Sequence, residues 1–387
     1  MLMAQAVTPH QVTALIARCY AGLDASGLRQ EVLRRLRQMM SVDAAFFGTV
    51  DPETLLFTSA VADEPLRAAT PLFLGNEFGC DDVNKFARLA EAADPVSSLD
   101  RATQGSRPQS ARYREIMSPL GLGDELRAAL LAGKTCWGVL CLHRADVARG
   151  FAPADLDLVR CISPHLAEGL RRAATLPPAA GTIPAAGIAG PAAPGMIVLD
   201  RRLAVVSMNQ EAGQWLAEID DPAWAAQGHQ GEQGVRELPM AVYAAAAGLI
   251  RLETGPAPPS AATVRLLSRA GRWLSLHASR LDGPPEPQIG VVVAPAPAAQ
   301  VGSVLLRAYG LTGAQSRVVA LVIKGQSTRQ IVQQLHISAN TVQEHLTSAF
   351  DKFGVRSRRE LVAAVLPGPP AAPGAGSNRP QSPGRAG

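Results

Sequence analysis

The chain has 387 residues, 47% of them hydrophobic, which allows two or three domains with buried cores. No apolar run reaches the roughly 18 residues of a membrane span, and no basic segment precedes an apolar core at the start, so neither a membrane anchor nor a secretory signal is expected. Five scattered cysteines (Cys19, Cys80, Cys136, Cys141, Cys161) argue against a disulfide framework, and the net charge of +4 is uneven: from Ser303 to Leu366 eight Arg or Lys stand against three acids, leaving the first 302 residues mildly acidic.

A cytoplasmic protein with a polyanion partner at its basic end fits this balance. From Gln11 to Met40, Val12, Leu15, Ile16, Leu28, Val32, Leu33 and Leu36 recur at helical spacing. "AAFFGTV" and "LLFTSAV" flank "DPET" as a hairpin would, and "LRAALLAG" and "KTCWGVLCLHR" read as strands meeting at Gly133-Lys134. "APADLDLVRCISPHLAEGLRRA" then reads as an amphipathic helix. Helices on an antiparallel sheet make residues 1–175 an α+β domain of sensor type.

Within it, Asp81-Asp82 reads as a solvated loop. Cys136 and Cys141, five apart on a strand, should point to opposite faces and serve as small buried hydrophobes. His143 and His165 match no metal or Cys–His spacing. Trp137, Phe46, Phe47, Phe73 and Phe78 read as core, with a ligand cavity as the other reading.

Residues 176–195 are Pro, Ala or Gly at 16 of 20 positions and read as a linker. In the following segment, 196–296, two strands join at Asp200-Arg201, a helix starts at Asn209, and "TVRLLSR", "RWLSLHASRL" and "QIGVVVAP" give three more strands. This order, with "VLDRRLAVVSMNQEA", resembles a PAS domain. "APAPAAQ", Ala294 to Gln300, reads as a second break, and the tail 367–387 as disordered.

The segment 303–366 is the most informative. Thr312 with Gln315, Ser327 with Gln330, and Ser357 with Glu360 have the spacing of capping boxes, and Ser338 can cap a further start. Gly325 and Gly354 stand where helices end. The apolar positions, Val318, Leu321 and Val322, then Ile331 and Leu335, then Val342, Leu346, Phe350 and Phe353, then Leu361 and Val365, give each helix one stripe. Only "HIS", His336 to Ser338, separates the second and third, the spacing of a helix-turn-helix, with His336 the candidate for positive φ.

"YGLTGAQSRVVALVIKGQSTRQIVQQLHISANTVQEHLTSAFDKFGVRSRRELVAAV" resembles the LuxR-type helix-turn-helix domain over about 60 residues, with landmarks that include Leu311-Thr312, Gly325, Ile337-Ser338, Thr341-Val342, His345-Leu346 and Gly354-Val355. Two departures stand out. The family's Arg-Glu after Leu-Thr-Pro is here Gly313-Ala314-Gln315, and its frequent Lys after Thr-Val is Gln343. Together these readings give a multidomain protein: an α+β domain that is GAF-like by analogy of architecture (1–175), an α+β PAS-like domain (196–296), and an all-α four-helix LuxR-type helix-turn-helix domain (303–366).

The resemblance further implies that Ala339–Phe353 enters the major groove of double-stranded DNA. The helix-turn-helix, 327–346, would contribute Ser327, Thr328, Arg329, Ser338, Asn340, Thr341, Val342, Gln343, Glu344 and His345, with Thr347 just beyond. Gln pairs with adenine, Glu accepts from cytosine and Thr meets thymine, so the helix can choose bases without a cation. Lys352, Arg356, Arg358 and Arg359 would hold phosphates. The expected partners are DNA, a second copy of the chain, RNA polymerase, and a small-molecule ligand in the sensor domains. No catalytic residue, cofactor or metal is assigned. The alternatives are a small-molecule enzyme with an appended DNA-binding domain and a homoserine-lactone-type receptor.

Overall fold

A computed structural model describes residues 7–146, 150–175, 191, 193–219, 221, 237–255, 259–283 and 286–365. All but the last few residues of the linker expected over 176–195 lie outside these, as does the whole tail expected over 367–387. The chain forms two compact units, Met1–Tyr309 and Gly310–Gly387.

The first unit begins with α1 (Pro9–Cys19) and α2 (Ala25–Met39). Thr8 and Gln11 cap α1 reciprocally, and Asp24 caps α2 through the Gly27 amide. The helical spacing from Gln11 to Met40 is therefore carried by two helices, with Gly22 at φ +71° between them. Next come β1 (Ala44–Val50) and β2 (Phe57–Ala62), then short α3 (Thr70–Leu74), a π-helical turn (Gly75–Gly79), α4 (Phe86–Glu91), β3 (Val96–Ser98) and α5 (Leu99–Ala102). The hairpin β4 (Leu122–Ala132) and β5 (Thr135–Ala145) precedes α6 (Pro153–Ala173). All strand pairs are antiparallel, and the sheet order is β2-β1-β5-β4-β3. One face packs on α1, α2 and α6 through Leu15, Leu28, Leu36, Leu126, Leu140, Leu142, Ile162 and Leu166.

A second sheet follows: β6 (Gly195–Leu199), β7 (Val205–Met208), β8 (Thr263–Leu267), β9 (Trp273–Leu281) and β10 (Gln288–Pro295), with α7 (Gln210–Glu218) and α8 (Met240–Thr254) between β7 and β8. Its order, β7-β6-β10-β9-β8, repeats that of the first sheet. The strand expected to open at Leu203 starts at Val205, because Leu203 takes φ +62° in the turn.

Sequence reading did not anticipate α8. Its run "MAVYAAAAGL" is buried throughout. A helix with no polar face must be covered on every side. One apolar cluster accordingly runs from Leu56, Phe57 and Leu74 through α8 to Ile197, Leu276 and Val291. At Gly248 a Cβ would stand 2.1 Å from the Ala261 carbonyl, so the chain passes too closely there for any side chain. The segments expected as 1–175 and 196–296 therefore share one apolar cluster.

The break expected over Ala294–Gln300 is also shorter than it reads. β10 runs to Pro295, and α9 (Ala298–Ala308) starts after Pro297. Val301, Val304, Leu305, Leu306 and Ala308 are buried, and α9 belongs to the first unit. The boundary set at Ser303 thus moves to Tyr309/Gly310, because α9 has an apolar face to bury.

The second unit contains α10 (Gly313–Ile323), α11 (Thr328–Leu335), α12 (Ala339–Phe353) and α13 (Arg358–Val365). Val318, Val319, Val322, Ile331, Val342, Leu346, Ala349, Leu361 and Val365 are among its buried apolar residues, each at most 4% exposed.

Candidate nucleic-acid interface

The four starts read from the sequence form as caps. Thr312 and Gln315 close α10 reciprocally, and Ser327 and Gln330 close α11. Ser338 Oγ accepts from the Thr341 amide at 3.0 Å and opens α12. Ser357 Oγ accepts from the Glu360 amide at 3.2 Å, while Glu360 accepts from the Arg356 amide at 2.9 Å. That amide and the Ser357 hydroxyl hold the Glu360 carboxyl below the usual carboxylate range. His336 sits at φ +53°, ψ +43°, so the chain reverses within one left-handed residue between α11 and α12. Gly354 ends α12 at φ +65°.

This turn exposes one face of α12. Asn340, Gln343, Glu344 and Thr347 are exposed, and His345 and Thr341 are half-buried. Val342 is fully buried, so its side chain belongs to the core rather than to any base contact. The Ser327 and Ser338 hydroxyls are occupied by the caps. Thr328 is half-buried at the start of α11.

The expected phosphate contacts separate into two groups. Lys352 Nζ donates to the Gly310 carbonyl and to Gln315 Oε1, both at 2.8 Å, so it ties α12 to the start of α10. Arg358 donates to the Gln326 carbonyl in the turn before α11. These two cations are committed within the module. Among the described residues the exposed guanidiniums of Arg329, Arg356 and Arg359 meet no acceptor. Gln315 also donates to Ser348 Oγ at 2.9 Å. Where the family carries Arg-Glu, one glutamine here completes the cap, reaches α12 and anchors Lys352.

The first unit holds a second candidate site, a cavity of about 40 Å³ over the sheet face opposite α6. Phe46, Phe57, Phe73 and Met240 wall it, and Glu125, Cys141 and His143 lie at its polar end. Arg112 donates to Glu125 Oε2 through Nε and Nη2 at 2.9 and 2.6 Å. Arg127 donates to Glu77 at 2.7 Å and covers the Phe86 ring at 3.7 Å. Burial alone would raise the Glu125 carboxyl, but these two guanidiniums and the buried His143 and Cys141 hold it down to about 2.

Three sequence expectations change here. The Asp82 carboxylate is enclosed, not solvated: it accepts from Asn76, Ser110 and the Arg112 amide. Asp81 is exposed and pairs with Arg88. Cys136 and Cys141 belong to one buried cluster rather than opposite faces, because the β4–β5 register shifts at Leu130/Leu131 and resets the alternation. Of the expected aromatic lining, Phe46 and Phe73 reach the cavity. Phe47 is buried on the other face, and Trp137 lines a separate cleft of about 250 Å³. His165 Nδ1 meets the Tyr20 hydroxyl at 2.8 Å.

Residues 310–365 match the family of bacterial regulatory proteins of the luxR type, and residues 24–170 match the GAF domain. The spore germination protein GerE of Bacillus subtilis (strain 168) is 34% identical over 56 residues, covering 14% of this chain and 76% of the relative. Among solved structures, the phycoerythrobilin-bound GAF domain of a cyanobacterial phytochrome aligns with 44% of this chain and 95% of its own, at 15% identity and a TM-score of 0.28. The Vibrio cholera VqmA–ligand–DNA complex aligns with 46% of this chain and 83% of its own, at 19% identity and a TM-score of 0.21. The capped helices, the left-handed turn at His336 and the matched relative converge on one conclusion: the chain belongs to the LuxR family of bacterial regulatory proteins, as a DNA-binding transcription regulator with a GAF domain toward its N-terminus.

Proposed function

We propose that α12 reads base edges in the major groove, that two copies bind paired half-sites, and that a small molecule bound in the first unit changes their placement. The observation that carries the reading is the division of α12 by exposure. Gln343, Glu344 and Thr347 stand out from a face whose other side, Val342 and Leu346, is core. Gln can pair with adenine N6 and N7, and Glu can accept from cytosine N4. Arg329, Arg356 and Arg359 are free to meet phosphates.

Three phosphates per protomer give a log–log salt slope of about −2.7, weak for one module, which is why a dimer on half-sites about 10 base pairs apart is the reading preferred. The Phe-walled cavity, lined by GAF-matched residues together with Met240, supports a small-molecule signal. The repeated strand order supports reading 196–296 as PAS-like, with the four-helix module carrying DNA recognition. Contact with RNA polymerase and a cytoplasmic location follow from that role. No helix among the described residues is long and apolar enough to cross a membrane.

Selection from random double-stranded DNA with the purified chain tests the reading. Enrichment of a motif repeated at one helical turn supports it. Binding with no sequence preference, or by a monomer on a single half-site at physiological salt, refutes it.

A further inference from the structure

The polar end of the cavity contains three metal-ligating groups that the sequence spacing did not bring together. Glu125 Oε1 lies 3.0 Å from Cys141 Sγ, Cys141 Sγ lies 3.1 Å from His143 Nε2, and His143 Nε2 lies 3.8 Å from Glu125 Oε1. None is more than 4% exposed. The sheet fixes them: Glu125 stands opposite His143 on the paired strands, Cys141 is two residues from His143, and Arg127 stands opposite Cys141. Side chains two apart share a face, so both strands present this set to the cavity.

We propose that Glu125, Cys141 and His143 bind one thiophilic divalent transition-metal ion, with its fourth position open to the cavity. Bonds of about 2.3 Å to sulfur and about 2.0–2.2 Å to nitrogen and oxygen put tetrahedral ligands about 3.3–3.6 Å apart. The three distances bracket that range, so an ion enters with shifts of a few tenths of an ångström. Glu125 already gives Oε2 to Arg112, which orients the carboxylate and leaves Oε1 for the metal. His143 Nδ1 is buried with no hydrogen-bond partner among the described residues. Nothing therefore commits its ring to another role.

Burial, offset in part by Glu125, takes the His143 imidazole down to about 4, so the ring is neutral at neutral pH and one of its nitrogens carries a lone pair. Burial and Glu125 push the Cys141 thiol well above its usual range. Binding must then break the S–H bond, form a metal–sulfur bond and release the proton to solvent.

The neighbouring charges decide which metal. Arg112, Arg127 and Lys85 face Glu77, Asp82 and Glu125, a balanced set. A divalent ion with one thiolate adds one positive charge. Only a strong bond to sulfur offsets that, so the site selects ions of the zinc, cobalt and ferrous class over magnesium and calcium. The open position faces walls of Phe46, Phe57 and Phe73, which suits a small neutral ligand or water. This site stands independently of the DNA reading.

The test uses the full chain, reduced and stripped with a chelator, titrated with Co²⁺ without DNA. The expected result is one equivalent bound, a thiolate-to-cobalt charge-transfer band, and about one proton released. Zn²⁺ should displace the cobalt, and Mg²⁺ and Ca²⁺ should not. Cys141→Ser should abolish the band and Cys161→Ser should keep it. X-ray absorption of the zinc-loaded wild-type chain needs no variant, and one sulfur with a nitrogen/oxygen shell is expected. Absence of the band, its persistence in a folded Cys141→Ser, or a zinc shell with no sulfur or two sulfurs overturns the proposal.

Discussion

Asp51 and Arg265, 214 residues apart in sequence, form a buried two-pronged ion pair: Asp51 Oδ1 accepts from Arg265 Nη2 at 2.6 Å and Oδ2 from its Nε at 2.8 Å. Asp51 also takes the Arg265 amide at 3.0 Å. The third nitrogen, Nη1, donates to the Gln300 carbonyl at 3.2 Å and to Ser303 Oγ at 2.9 Å in α9. One guanidinium thus joins the first sheet, the second sheet and the helix that precedes the DNA-binding unit. Arg265→Met should cost about 3–5 kcal/mol in urea unfolding, because Asp51 is left buried without its cation. The double variant Asp51→Leu/Arg265→Met should recover most of that. Hydrogen exchange at α9 amides should rise in the single variant. A loss below about 1 kcal/mol, or a double variant no better than Arg265→Met, would mean that the pair is not a structural clamp.

The cations of the second unit should divide by salt dependence. Arg359 is free and exposed, so Arg359→Ala should lower the magnitude of the log–log salt slope of DNA binding by about 0.9 per protomer, alike on every sequence. Lys352 is bound to Gly310 and Gln315. Lys352→Ala should leave the slope unchanged and lower the melting temperature of the DNA-binding unit. Equal changes in slope for both would return Lys352 to the phosphates.

A pH effect should arise where α6 meets the end of α9. Hydrogen bonds from Arg171 and Arg172 take the Glu168 carboxyl down to about 2, and Arg171 also donates to the Ala308 carbonyl. A depressed folded value stabilises the protein above the unfolded value of about 4.3 and is lost as the pH falls toward 2. Glu168→Gln should therefore lower stability at pH 7, by roughly 1 kcal/mol or less for a half-buried pair at the surface. It should also soften the decline between pH 4.5 and 2, which unfolding curves across that window would reveal. An unchanged decline would place the acid sensitivity elsewhere.

The C-terminal unit was the more legible part because its information is local. Caps, stop glycines and the stripe of each helix lie within a few residues of one another, and the short gap between two apolar stripes was enough to name His336 as the left-handed turn. What sequence reading missed was non-local. Lys352 reads as a surface cation until Gly310 and Gln315 are seen beside it. Val342 is next to exposed Gln343 but one step round the helix, inside the core. Glu125 escaped notice because a two-residue turn at Gly133-Lys134, counted outward without a bulge, places it opposite Leu142. The shift at Leu130/Leu131 moves it opposite His143. Nor does an alanine run announce that it is the shared core of two sheets, since it has no periodicity to read.

The sharpest test of α12 compares neighbours. Val342 is fully buried and Gln343 is exposed. Val342→Ala should cost roughly 1–2 kcal/mol of stability through lost burial, and weaken DNA binding only by lowering the folded fraction. Gln343→Ala should leave the melting temperature unchanged and relax base preference at one position, with about 1–3 kcal/mol of discrimination lost there. Glu344→Gln removes a charge that repels phosphate and replaces the acceptor-only carboxylate that suits cytosine with a weaker, mixed donor–acceptor amide. If Glu344 reads a base, binding to the selected motif falls while binding to unrelated DNA rises. If it only repels the backbone, both rise together. Melting curves and binding to a panel of single-base variants separate these outcomes, and uniform weakening by Gln343→Ala across the panel would remove α12 from the role of base reader.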